Sequence, residues 1–182
     1  MPDRTAPIWV AFLRAVNVGG RRLINGDLVA ATEGCGCRDA WAHQASGNVV
    51  LVDERPEPEL QAALEGGLTS MLGYPVRVFL RSVGEVRAAA GATPFSDQEL
   101  AASAGKPQVV LLQGAPAAPV LRQVEALVPG DDRLVADGRQ LHWLPAAGLA
   151  DSGLDLRRLD AVTGGCTVRT QGTVQRLASK LG

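Results

Sequence analysis

The sequence predicts an α+β fold of two ferredoxin-like subdomains, each a βαββαβ plait, in tandem and joined by short helices. Three observations carry this. Apolar strand-like runs and helix-spaced segments follow one another in the order βαββαβ; the same order restarts after Gly105; and the stretch between the copies opens twice on a Ser-x-x-Glu pattern, Ser82 with Glu85 and Ser96 with Glu99. The implied division is residues 1–81 for the first plait, 82–106 for a helical connector, and 107–182 for the second plait with a final helix.

Each element has a local reason. Residues 8–13 are continuously apolar and read as a buried strand. A helix over residues 26–33 takes Asn25 as N-cap and stops at Gly34. A weak strand over 39–43 and a strong one over 48–52 flank the turn Ala45-Ser46-Gly47, which suggests a hairpin. Pro56 and Pro58 stand where a helix starts, Leu60, Leu64, Leu68, Met71 and Leu72 keep helical spacing, and Gly73 ends the run. Residues 76–81 alternate, which predicts an edge strand with Arg77 and Arg81 on its wet face. In the second copy, strands are expected over 108–112, 133–136, 140–144 and 166–169, with Asp137-Gly138 as a hairpin turn and helices over 119–128, near 155–162 and from Thr170 onward. The plait puts first and third strands in the middle of the sheet. Their apolar residues on the face away from the helices must then be covered, by the other plait or by a second copy of the chain in a homodimer.

Composition sets the outer limits. With 182 residues, 46% apolar and 20% charged, the chain reads as an ordinary globular protein. Its 18 basic residues against 19 acidic ones give no global field for nucleic acid, and an RNA-binding plait's basic and aromatic signature is missing around Phe12, Tyr74 and Phe79. Three cysteines, two of them as Cys35-Gly36-Cys37, favour a reducing compartment over disulfides, and no apolar run approaches the roughly 20 residues that span a bilayer. A cytoplasmic protein with no membrane partner is the resulting expectation.

Leu13-Arg14-Ala15-Val16-Asn17-Val18-Gly19-Gly20, Ser46-Gly47-Asn48-Val49-Val50 and Pro94-Phe95 resemble, in order and spacing, the mainly bacterial family catalogued as domain of unknown function 1697. That family's pattern runs Leu-Arg-Gly-Ile-Asn-Val-Gly-Gly, then Ser-Gly-Asn-Val-Val-Phe, then Ser-Lys-Leu and Arg-Asn-Trp-Asn-Thr-Val. Here Ala15 replaces a glycine and Leu51 the phenylalanine. Gly153 stands for the lysine, and Thr170-Gln171-Gly172 for Asn-Trp-Asn, so Arg169, Thr173 and Val174 survive from the last motif. A family site that used the lysine or the tryptophan would be crippled in this chain. The resemblance implies a tandem α-β plait and no established activity.

For function, the loop after the first strand is the most informative stretch. Gly19 and Gly20 can turn successive N–H groups inward as a nest, with Arg14 or Arg21 supplying charge and Asn17 an amide, which suits a small anionic or polar ligand. The same residues also serve a plain turn, with Asn17 satisfying its own backbone. Ser46 and Asn48 sit at a hairpin end, where Gly and Asn are routine; near Arg14, Asn48 would complete a polar pocket, and a hydrolase of a phosphorylated or acyl compound would use Arg14 as oxyanion clamp and Asn48 to orient water. Arg169 and Thr173 flank a helix start at which an anion could bind, although Thr170 as a simple N-cap explains it equally. A non-catalytic interaction module is the third reading. Cys35, Cys37 and His43 are one ligand short of a structural zinc, no cofactor motif is present, and no constellation around His43 or His142 assigns catalytic residues.

Overall fold

The computed structural model describes residues 6–14, 24–44, 47–149 and 151–181. Among them the strands β1 (Ile8–Arg14), β2 (Arg38–Ala42), β3 (Asn48–Val52) and β4 (Arg77–Ser82) form one antiparallel sheet in the order β2-β3-β1-β4, with helices α1 (Asn25–Gly34) and α2 (Glu57–Leu72) between them. After α3 (Val83–Gly91) and α4 (Asp97–Ala102), the strands β5 (Gln108–Leu112), β6 (Arg133–Asp137), β7 (Gln140–Leu144) and β8 (Cys166–Thr170) form a second antiparallel sheet in the order β6-β7-β5-β8. Helices α5 (Ala118–Leu127) and α6 (Leu156–Thr163) lie between those strands in sequence, and α7 (Gln171–Ala178) follows. The fold is therefore α+β with two four-stranded antiparallel sheets. Contacts divide the chain into two compact units, Met1–Val86 and Arg87–Gly182.

In the first unit, Leu60, Leu64 and Leu68 of α2 and Leu28 and Ala31 of α1 pack with Ala11, Leu13, Val49, Leu51, Val78 and Leu80 of the sheet. Leucines four apart share one helix face, and each such buried side chain contributes about 1.5–3 kcal/mol. In the second unit, Val124 and Leu159 of the helices cover Val110, Leu112, Leu141, Trp143 and Cys166. Both cores are built on the same sheet positions.

Several local expectations are corrected. Asn25 lies inside α1, whose cap position is Ile24 with no side-chain hydrogen bond, and Gly34 is the last helical residue. Met71, at helical spacing from Leu68, is exposed. Ser96 and Glu99 do form the reciprocal capping box at α4, and Ser82 and Glu85 make the same exchange at α3.

The largest correction concerns Arg81. Alternation in β4 correctly separates Val78 and Leu80 from Phe79 and Arg81, but both faces are dry: Phe79 is fully buried and Arg81 is only 2% exposed. Period-two patterning says which residues share a face and not whether water reaches it. Arg81 Nη1 donates to the Leu80 carbonyl at 2.7 Å. The second unit repeats this device. Arg169, opposite Val109 as Arg81 is opposite Val10, donates from Nη1 to the Val168 carbonyl at 2.8 Å and to Thr167 Oγ1 at 2.9 Å. Burial pushes the Arg169 pKa down to about 10, which still leaves the guanidinium charged at neutral pH.

Candidate functional site

The expected anion-binding residues fall into three groups. Asn17, Gly19, Gly20, Arg21 and Ser46 lie outside the described residues. Arg14 and Asn48 are brought to one end of the first sheet, because β1 and β3 pair with Phe12 opposite Asn48 and the Leu13 N–H donates to the Gly47 carbonyl at 2.7 Å. Asn48, however, is fully buried, and its Nδ2 donates to the His43 carbonyl at 3.1 Å while the His43 N–H returns a bond to the Asn48 carbonyl at 2.8 Å. That pair of bonds closes the turn, which is structural work. Arg169 and Thr173 belong to the second unit.

There a different site takes shape. The end of β8 and the start of α7 border a cleft of about 640 Å³ whose other walls come from residues 92–100, from Lys106-Pro107 ahead of β5, and from His142 on β7. The pairing of β5 with β8 explains the assembly: Gln108 lies opposite Thr170, so Lys106-Pro107 arrives beside the first residues of α7. The Gln171 N–H then donates to the Pro107 carbonyl at 2.9 Å. Thr170 caps α7 as expected, its Oγ1 accepting from the Thr173 N–H at 3.2 Å. Of the first N–H groups of the helix, that of Gly172 takes no part in these bonds and has no partner among the described residues, which leaves it for a ligand. Gln171 Nε2 donates to the Ala89 and Ala90 carbonyls at 2.8 and 3.1 Å, tying α7 to the last turn of α3 immediately before the 92–95 wall. The cleft is thus framed by bonds made without a ligand.

Its charge is uneven. Lys106 and Arg176 contribute two cations against the single carboxylate of Asp97, and neither cation forms an ion pair among the described residues. Arg176 Nη2 donates to Thr173 Oγ1 at 3.3 Å, and its Nη1 lies 3.3 Å from where a Cβ on Gly172 would stand, so the absence of a side chain there lets the guanidinium fold over the helix start. A helix N-terminus carries roughly half a positive charge, which adds to the same field. His142 is 2% exposed, and burial holds its pKa below the ordinary imidazole value.

Another polar cluster in the described residues holds structure. Arg55 is clamped on Asp53 through Nε at 2.8 Å and through Nη2, and reaches the Cys35 carbonyl at 3.1 Å. Beside it, burial first and then the Asp53 charge push the Cys37 thiol up to about 12, the opposite of a reactive or metal-binding thiolate. Among the described residues no group of three or more His, Cys, Asp or Glu side chains is placed to hold a metal ion. No helix among them is long and apolar enough to cross a membrane.

Sequence comparison gives the kinship. Residues 7–142 match the family described as "Protein of unknown function (DUF1697)". The chain belongs to that family. No curated protein matches the sequence. Among solved structures the chain is similar to the conserved bacterial protein SP0830 from Streptococcus pneumoniae, with a TM-score of 0.78 and 16% identity, covering 97% of this chain and 98% of that one. The likeness is one of fold. Pro94 and Phe95 line the cleft with Thr170, Gln171 and Gly172, the positions that stand for Asn-Trp-Asn in the family's pattern, whereas Arg169 and Thr173, which keep that pattern, are not among its lining residues. Lys106, Arg176 and His142 were not singled out as ligand residues from the sequence. Only the spacing of Gly172 and Arg176, four residues apart on one helix face, hinted at the pairing.

Proposed function

We propose that this chain is a binding protein for a small anionic ligand, built on two ferredoxin-like plaits, with its site in the second unit's cleft at the N-terminus of α7. The plait reading is supported by both sheets, in which the first and third strands are central and the second and fourth are edges. The binding reading rests on one observation: Lys106, Arg176 and the start of α7 converge on one cleft with neither cation neutralised by a neighbouring carboxylate. Unpaired cations and a helix N-terminus in a concave site attract oxyanions by charge and by directed N–H groups.

A thermal-shift series on the full chain with inorganic phosphate, sulfate, nucleotides and sugar phosphates tests this. A ligand at about 100 times its Kd adds about 2.7 kcal/mol, which in a chain of this size raises Tm by about 5–11 °C. Lys106→Ala combined with Arg176→Ala removes the shift, and no shift by any member of the series refutes the reading. A second reading keeps the ligand at the end of β1, favoured by the register that brings the Gly47 turn beside the strand end from which residues 15–23 depart. In the same assay it requires Arg14→Ala to remove the shift and the cleft substitutions to leave it.

A further inference from the structure

Building on the anion-binding reading of the cleft, we propose that its ligand is an amphiphilic anion: a phosphate or carboxylate on an apolar body about the size of a ring, the charged end at Lys106, Arg176 and the Gly172 N–H and the body against residues 92–100. Size comes first. At about 640 Å³ the cleft is in the range of sites that enclose whole organic molecules, and a free oxyanion fills a small part of it. The chemistry of the wall comes second. Ala92, Pro94, Phe95, Leu100 and Pro107 line it, and Leu100 on α4 leaves 40% of its surface exposed there. A fully polar ligand would leave that surface wet and ungained, whereas an apolar body removes it from water.

His142 is held in place on the cleft wall. Gln140 Nε2 reaches both Asp137 Oδ2 at 3.1 Å and His142 Nε2 at 3.4 Å. Asp137 Oδ2 also lies 3.8 Å from the same ring nitrogen, so β6 and β7 together hold the imidazole. The Gly172 N–H at the helix start favours a ligand with an acceptor at its charged end. The bonds from Gln171 to Pro107, Ala89 and Ala90 hold both walls in place beforehand, which lowers the ordering cost of binding.

The test compares three probes by calorimetric titration of the full chain: inorganic phosphate, glucose 6-phosphate and phenyl phosphate. They share an anion and differ in whether the body is absent, polar or apolar. Phenyl phosphate binding at least tenfold tighter than both others supports the proposal. So does Leu100→Ser weakening phenyl phosphate several-fold while leaving inorganic phosphate unchanged; Leu100 is exposed, so this substitution spares the fold. If glucose 6-phosphate matches phenyl phosphate, with both lost in Lys106→Ala, the apolar-body inference is overturned while the anion reading stands. If none of the three binds, both fall.

Discussion

Replacing Asp132 with alanine should cost the second unit a large part of its stability. The carboxylate is 7% exposed and accepts three bonds: from Trp143 Nε1 at 2.8 Å, from the Ala146 N–H at 2.9 Å and from Ser152 Oγ at 2.8 Å. It thereby ties β7, the segment leaving β7 and the segment leading to α6 to the turn before β6. Trp143 is 1% exposed, so in Asp132→Ala its indole N–H loses its partner inside the core, and the Ala146 N–H loses its own. Ser152 can rotate its hydroxyl toward solvent and is counted as neutral. Each stranded buried donor costs about 1–3 kcal/mol, more when the lost acceptor was charged, so the total is about 4 kcal/mol. For a chain of this length that lowers Tm by about 8–16 °C. Asp132→Asn keeps one carbonyl oxygen but turns an NH2 toward a donor, and should lose about half as much. Guanidinium unfolding followed by both tryptophan fluorescence and far-UV circular dichroism measures these differences. A loss below about 1 kcal/mol in the alanine variant would refute the reasoning, because it would mean that the donors find other acceptors.

Other perturbations test separate parts of the structure. Gly105 has no room for a side chain, since a Cβ would overlap the Pro145 carbonyl, and the Ser103 Oγ bond to that carbonyl at 2.8 Å holds the approach; Gly105→Ala should cost about 1–3 kcal/mol, and an unchanged Tm would show that the segment is free to move. The Arg55 hydrogen bonds hold the Asp53 carboxyl below its ordinary range. Its contribution is therefore complete above the unfolded value of about 4 and is lost as pH falls through the lower folded value. The stability gap between the parent and Asp53→Asn should be flat above about pH 5 and shrink on further acidification; a gap constant down to about pH 2 contradicts the pairing. Burial raises the Cys35 and Cys37 thiols and Cys166 is 5% exposed, so a disulfide reagent near neutral pH should label none of the three cysteines quickly in the folded chain and all of them in guanidinium. Rapid labelling of Cys37 under native conditions would show that its burial is wrong.

Much of the fold is legible in local sequence. The strands Asn48–Val52, Gln108–Leu112 and Gln140–Leu144 have the bounds read from the sequence, because each is a short, mostly apolar segment with turn residues beside it. Gly73 and Gly164 close α2 and α6 in the left-handed conformation that glycine adopts at least cost. Asp155 and Thr170 cap their helices with their own side chains. Local cues failed at two positions. Nothing near Arg81 in sequence reveals that both faces of β4 are covered, and Ile24 takes the cap position that Asn25 was chemically suited to fill.

The candidate site divides in the same way. Residues 94–95 and 169–174 stand out as motifs, and the chain's overall charge balance by itself turned attention from polynucleotides to a local patch. Lys106 and Arg176 look like any solvated cations until Gln108 pairs with Thr170 and sets them at one cleft. Helix starts, turns and alternation depend on neighbours a few residues away and can be read from the chain directly. Strand register joins residues far apart in sequence, so which charges share a site, and which arginine escapes water, was decided only when the sheets closed.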